Sequence, residues 1–217
     1  MTAAAPQPQP KPLITIWRHP RATIAWLNEH DPDYLVLPLA LLTGMVVAVG
    51  NGANLLLDPG ISATLPLLLL ILIWGLVQGL GQIYILGPIL RRVAGKRGGI
   101  ATTAEVRAAL AWGSLPRLWS LPVLLLAAVF LTSVQVNNPS LAAFDTVSAV
   151  SLLGCFTTPL SLWSFFLTLI LLSETLDCST GSAFWYHLLA SLVWLVPYLG
   201  IELLFSGLLT LLGVPIW

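Results

Sequence analysis

Charge is what this sequence has least of. Asp, Glu, Lys and Arg make up 8% of its 217 residues, against roughly 25% in soluble domains. Apolar residues make up 57%. So few charged groups cannot cover a water-soluble globule, so the main solvent of the chain is lipid. Basic charge is missing altogether from the second half. Every Lys and Arg lies at or before Arg117, and the last 100 residues carry only Asp145, Glu174, Asp177 and Glu202. The formal net charge of zero hides this segregation. Cysteine is scarce too. Cys155 and Cys178 form neither a CxxC nor a Cys/His cluster of zinc spacing, so they read as free thiols without a metal. Catalytic and cofactor signatures are also lacking. No P-loop, dinucleotide-binding fingerprint or GxSxG is present, so the chain reads as a non-enzyme without a cofactor. Glu29, His30, Asp31 and Asp33 gather carboxylates beside a histidine, but Pro32 breaks any helical spacing there. Asp31-Pro32-Asp33 is an ordinary helix-start signal.

Long apolar runs are what the chain does have. Residues 1–12 are rich in Ala, Pro and Gln. They lack a basic segment followed by an apolar one, so they read as a disordered tail rather than a signal peptide. From Leu13 to Glu29, Ile14, Trp17, Ile24 and Leu27 alternate with Arg18 and Arg21. Pro20 splits this segment, and the part after it predicts a short interfacial amphipathic helix with proline in its first turn. Five spans follow, at about 35–57, 61–90, 115–136, 150–172 and 184–212. The first has 23 uncharged residues, which at about 1.5 Å per residue exceeds a hydrocarbon core of ~30 Å. The Asp58-Pro59-Gly60 turn separates it from the second. Gly75-x-x-x-Gly79, with Gln78 and Gln82, gives the second span a small polar stripe that marks packing inside one chain. The expected fold is all-α: a polytopic membrane helix bundle of five transmembrane helices with an interfacial N-terminal helix.

The stretch between the second and third spans carries most of the basic charge. Arg91, Arg92, Lys96 and Arg97 read as a loop, with Gly98-Gly99 as a flexible joint. Thr102-Thr103-Ala104-Glu105 fits a capping box. Val106, Ala109, Leu110 and Gly113 then recur at helical spacing, predicting an interfacial helix. Arg107 and Glu105 point to water, and Trp112 suits the headgroup region. All nine basic residues fall on one side of a five-span chain. The positive-inside rule makes that side cytoplasmic, with the N-terminus inside and the C-terminus outside. The polar loops Asn137–Ser148 and Glu174–Ser182 fall outside and inside. The positive-inside rule accounts for the basic cluster without a nucleic acid, and the alternative is contact with anionic lipid headgroups or a partner through Arg18, Arg21, Arg91, Arg92, Lys96 and Arg97.

The chain resembles bacterial Yip1-domain membrane proteins. Three segments carry the likeness to that family: Trp17-Arg18-His19-Pro20-Arg21-Ala22-Thr23-Ile24 before the first span, Gly98-Gly99 after the second, and Ala108 to Pro116, a small-apolar run ending in Ser-x-Pro. The segment from Leu172 to Ala183 is similar to the family's helix-loop-helix between its last spans. The resemblance covers residues 13–217 and implies one five-span domain in the bacterial inner membrane, with no established catalytic residues. The Asp-Leu-Tyr-Gly-Pro motif of eukaryotic members is absent, so their trafficking role does not carry over.

The expected function is a non-enzymatic scaffold or accessory subunit that binds other membrane proteins. The alternative is a small proton-coupled transporter built on Glu202. It is the acid well inside a span, with Gln78 and Gln82 as candidate polar neighbours and Asn51 and Tyr198 as further ones.

Overall fold

A computed structural model describes residues 11–56, 65–96, 101–124, 126 and 142–211 of the chain. Every element among them is helical. The opening tail to residue 10, the Asp58-Pro59-Gly60 turn, Arg97 with Gly98-Gly99, and half of the 115–136 run lie outside the described residues. So does the first part of the Asn137–Ser148 segment.

Two short helices open the chain, α1 (Pro12–Thr15) and α2 (Pro20–His30). Then come α3 (Val36–Leu56), α4 (Leu65–Gly81) and α5 (Gly87–Gly95), the last two joined by a π-helical turn, Gln82–Leu86. Pro88 explains that turn. It has no N–H to give the carbonyl of Tyr84 four residues back, and one wide turn absorbs the mismatch without breaking the rod. Next are α6 (Thr103–Gly113) and α7 (Leu115–Leu118), then the long α8 (Ala142–Thr175) and α9 (Thr180–Leu211). Among the described residues three helical stretches are long and apolar enough to cross a membrane: Leu67–Gly95, Gly154–Thr175 and Thr180–Leu211. A shorter apolar stretch runs from Val36 to Gly50.

The long helices pack antiparallel. Ala40 and Gly44 of α3 lie against Gly79, and Met45 and Ala48 against Gly75. The Gly75/Gly79 pair therefore packs within the chain, as its setting predicts. Against α9, Trp74 stacks on Phe205 with centroids 4.6 Å apart, and Gly81 meets Trp194. Phe165 of α8 faces Phe184 and His187 of α9.

Several helix ends run past the apolar runs that signal them. Arg91 and Arg92 sit on α5 rather than in a loop. Asp145 is on α8, which begins inside the segment expected as the Asn137–Ser148 loop. Glu174 is also on α8, so the expected Glu174–Ser182 loop shrinks to a tight turn. Asp177 adopts a left-handed conformation (φ 47°), and the N–H of Cys178 reaches the carbonyl of Ser173 at 2.9 Å. That is a Schellman ending, with aspartate where glycine is commoner. Ser179 then caps α9 through the N–H of Ser182 at 3.2 Å.

The largest departure is α6. Its capping box forms as expected: the N–H of Thr102 donates to Glu105 Oε2 at 2.7 Å, and the N–H of Glu105 to Thr102 Oγ1 at 3.3 Å. The helix is not a surface helix, however. Val106 and every residue from Ala108 to Gly113 are buried, Trp112 completely. Gly113 lies against Thr168, and its carbonyl accepts from Ser164 Oγ at 2.8 Å. Ser114 meets Thr43 at 3.0 Å. Thr168 is seven residues before the end of α8, so the tip of α6 sits about 10 Å inside the bundle. A helix apolar on all sides belongs in a core, and the run Ala108 to Gly113 leaves it no polar side.

The N-terminal helix packs one side onto the same core: Ile24 and Leu27 join the main core with Ile16, and Thr23 is buried beside them. Leu13, Ile14 and Trp17 of this segment stay open.

Candidate functional site

Two features could carry function, a basic end and an intramembrane polar trio. The basic end is assembled from distant parts of the sequence. Arg21 on α2 reaches the α8–α9 turn, with Nη1 3.9 Å from Glu174 and Nη2 3.5 Å from Thr180 Oγ1. Asn28 donates to Thr175 Oγ1 at 3.2 Å. Arg91 closes the α5–α6 connection by donating from Nε to the carbonyl of Ala101 at 3.1 Å. Arg18, Arg92 and Lys96 stand exposed. Of the six basic residues expected to meet headgroups, Arg21 and Arg91 thus also hold the fold. The Arg21–Glu174 pair is solvent-exposed and long, so its energetic weight is ~1 kcal/mol at most. Its value is geometric, because it places the N-terminal segment and the α8–α9 turn at one end of the bundle.

Arg107 belongs to the same end. Expected to point to water, it is instead largely buried, donating to Asp33 Oδ1 at 3.0 Å with its guanidinium 5.2 Å from the centre of the Tyr84 ring. Trp112 donates from Nε1 to the carbonyl of Tyr34 at 3.1 Å, which joins α6 to the entry of α3. Sequence reading missed this group. Its one signal was the unbroken apolar run after Arg107, too long for a surface helix.

Cys178, in the α8–α9 turn, is half-buried. Burial first and the neighbouring Asp177 carboxylate second push its thiol above the ordinary value, partly opposed by a backbone hydrogen bond from Ala183. The neutral thiol is therefore favoured at neutral pH, and a neutral thiol is a poor nucleophile. Cys155 and Cys178 are both free, as expected.

The polar trio lies between α4 and α9. Glu202 Oε1 accepts from the Tyr198 hydroxyl at 2.7 Å and from Gln78 Nε2 at 3.2 Å, and that same amide stands 3.5 Å from the Tyr198 hydroxyl. The sequence pointed to Glu202 and Gln78, and they meet. Tyr198, named only as a neighbour, is the shorter contact, one helical turn before the acid on the same face. Gln82 opens the π turn and, among the described residues, makes no hydrogen bond to the trio. The Asn51 side chain lies outside the described residues. No group of three or more His, Cys, Asp or Glu able to hold a metal ion occurs among the described residues.

No family model, curated protein or solved structure matches the chain.

Proposed function

We propose that the chain is a five-span, Yip1-like protein of the bacterial inner membrane that serves as a docking or accessory subunit for other membrane proteins. The observation that carries this reading is α9. It is a 32-residue apolar helix, yet most of its surface is open. Val196, Leu203 and Leu204 are each more than 70% exposed. A methyl group added at Gly200 or Gly207 would meet nothing within 4 Å among the described atoms. In lipid, helices associate through close backbone approach rather than hydrophobic burial, and glycines on an open apolar face allow that approach.

The direction of the helices supports the five-span topology. α8 begins 26 residues before Thr168, about 40 Å along the helix from the level where α6 ends. The end of α6 and the start of α8 thus lie at different levels of the bundle, which favours a further crossing beside α3, α4–α5, α8 and α9. The N-terminal segment, the end of α5 and the α8–α9 turn share one end, in keeping with a single cytoplasmic side that holds the basic residues. Exposed Arg18, Arg92 and Lys96 would meet anionic headgroups there.

Purification in mild detergent is expected to retain a stoichiometric membrane partner. A chain recovered alone from native membranes would remove the docking reading. A periplasm-active reporter fused after Trp217 should be active, and a cytoplasm-active one silent. The reverse pattern would overturn the topology.

The polar trio favours a second reading, a proton-coupled transporter centred on Glu202. Glu202→Gln keeps the shape of the group and removes its proton chemistry. It should leave a docking subunit assembled and stop a proton-driven flux.

A further inference from the structure

We propose that Glu202 is a proton-exchange site within the bundle, with Oε2 as the atom that takes and releases the proton. Both donors of the trio converge on Oε1, Tyr198 at 2.7 Å and Gln78 at 3.2 Å. Among the described residues no donor is placed on Oε2. This asymmetry has a chemical consequence. Oε1 can accept both hydrogen bonds as a carboxylate oxygen or as the carbonyl oxygen of a neutral acid. A proton can therefore bind and leave Oε2 while the two bonds that hold the side chain stay in place.

The surroundings suit a proton better than a metal ion. The groups that contact Glu202 are Tyr198 from its own helix and Gln78 from α4, and the Trp74–Phe205 stack lies about one helical turn further along the two helices. Among the described residues neither ion pair of the chain includes it, so no fixed cation neutralises a charge that is costly in an apolar setting. A hard metal cation takes about six or more oxygen ligands. The trio offers a carboxylate, one hydroxyl and one amide oxygen, too few for such an ion, whereas a proton needs a single lone pair.

Two backbone irregularities flank the site independently of these side chains. The π turn Gln82–Leu86 begins one helical turn after Gln78. Pro197 lies inside α9 next to Tyr198 and has no N–H to give the carbonyl of Val193. Interruptions of this kind free polar backbone within otherwise closed helices and recur at functional positions.

The inference uses the trio of the transporter reading but requires no transport, and its test includes neither partner nor substrate. Its failure would leave the docking and flux experiments to stand on their own. The full-length protein, in detergent, is treated with dicyclohexylcarbodiimide, an apolar reagent that adds to protonated carboxyls. The acid proton passes to a reagent nitrogen and the carboxyl oxygen bonds to the central carbon. The acyl group then shifts to nitrogen, giving a stable N-acylurea with no atom lost. One adduct is expected, located by peptide fragmentation at Glu202. Its yield should fall when the protein is equilibrated at alkaline pH, recover on re-acidification before the reagent is added, and vanish in Glu202→Gln. Folded protein that gains no adduct at Glu202 at any pH would overturn the proposal, as would a yield at Glu202 indifferent to pH. Fragmentation places the adduct on the wild-type chain, so the result stands even if the variant fails to fold.

Discussion

Gly44→Ala, the smallest substitution that adds a side chain, is expected to abolish the folded bundle. The added methyl group would meet the backbone of α4, with the amide nitrogen of Gly79 at 2.6 Å and its Cα at 2.8 Å. Gly75 is equally closed, its own added carbon falling 2.7 Å from Met45 Cα. Side chains can rotate away from an intruder, but two backbones in contact can only separate. Separation is costly in lipid, because no hydrophobic force restores the pair and association rests on close packing of the two backbones. Overpacking in soluble cores costs typically 1–3 kcal/mol. A backbone collision at the main α3–α4 seam is expected to cost more than about 3 kcal/mol, in the severe tail of single substitutions. Size-exclusion profiles and thermal unfolding in one detergent would measure it. Gly200→Ala is the control, since its added carbon meets nothing within 4 Å and alanine is the better helix former by ~1 kcal/mol. Equal behaviour of the two variants would mean that α3 and α4 do not approach this closely.

Trp112→Ala is expected to destabilise the protein by about 3–5 kcal/mol, the usual cost of deleting a fully buried large aromatic. Trp112 is 0% exposed, stacks near Tyr34 with centroids 6.2 Å apart, and ties α6 to the entry of α3 by its indole hydrogen bond. Trp112→Phe keeps much of the volume and loses that bond, so it should cost less, with roughly 1 kcal/mol from the bond itself. A tryptophan at headgroup depth, as the sequence suggests, would tolerate both changes. The two substitutions therefore distinguish a buried α6 from a surface one. Denaturation followed by intrinsic fluorescence is unsuitable with the other tryptophans of this chain present, and circular dichroism is the better readout.

What the sequence discloses is mostly what lipid demands. Apolar runs disclosed the long helices, glycine spacing disclosed that Gly75 and Gly79 pack within the chain, and the Thr102/Glu105 pattern disclosed the start of α6. Glu202 and Gln78 stood out because polar groups in apolar runs are few. Helix ends did not stand out. A charge such as Arg91, Asp145 or Glu174 ends an apolar run, but the backbone hydrogen bonds of the helix continue through it, so the rod extends into the interface. The burial of α6 was hidden for a different reason. The spacing of Val106, Ala109, Leu110 and Gly113 reads as one apolar face and draws attention from the other sides of Ala108 to Gly113, which are apolar too, and the cover comes from α2, α3, α5 and α8, residues far away in sequence. Arg107 was misread by the same route, since its partners Asp33 and Tyr84 come from two other segments.

The contacts between α2 and the α8–α9 turn bear on the order of assembly. Arg21 and Asn28 are made early in synthesis, while Glu174, Thr175 and Thr180 emerge about 150 residues later. Until they arrive, neither the N-terminal helix nor the tip of α6 at Gly113 has its final neighbour. Contacts that bridge such long sequence separations form late. A nascent chain stopped before α8 would hold two apolar surfaces without their cover, a state open to early engagement by insertion or quality-control factors. The last helical hairpin thus acts as the clasp that closes a bundle begun at its first residues.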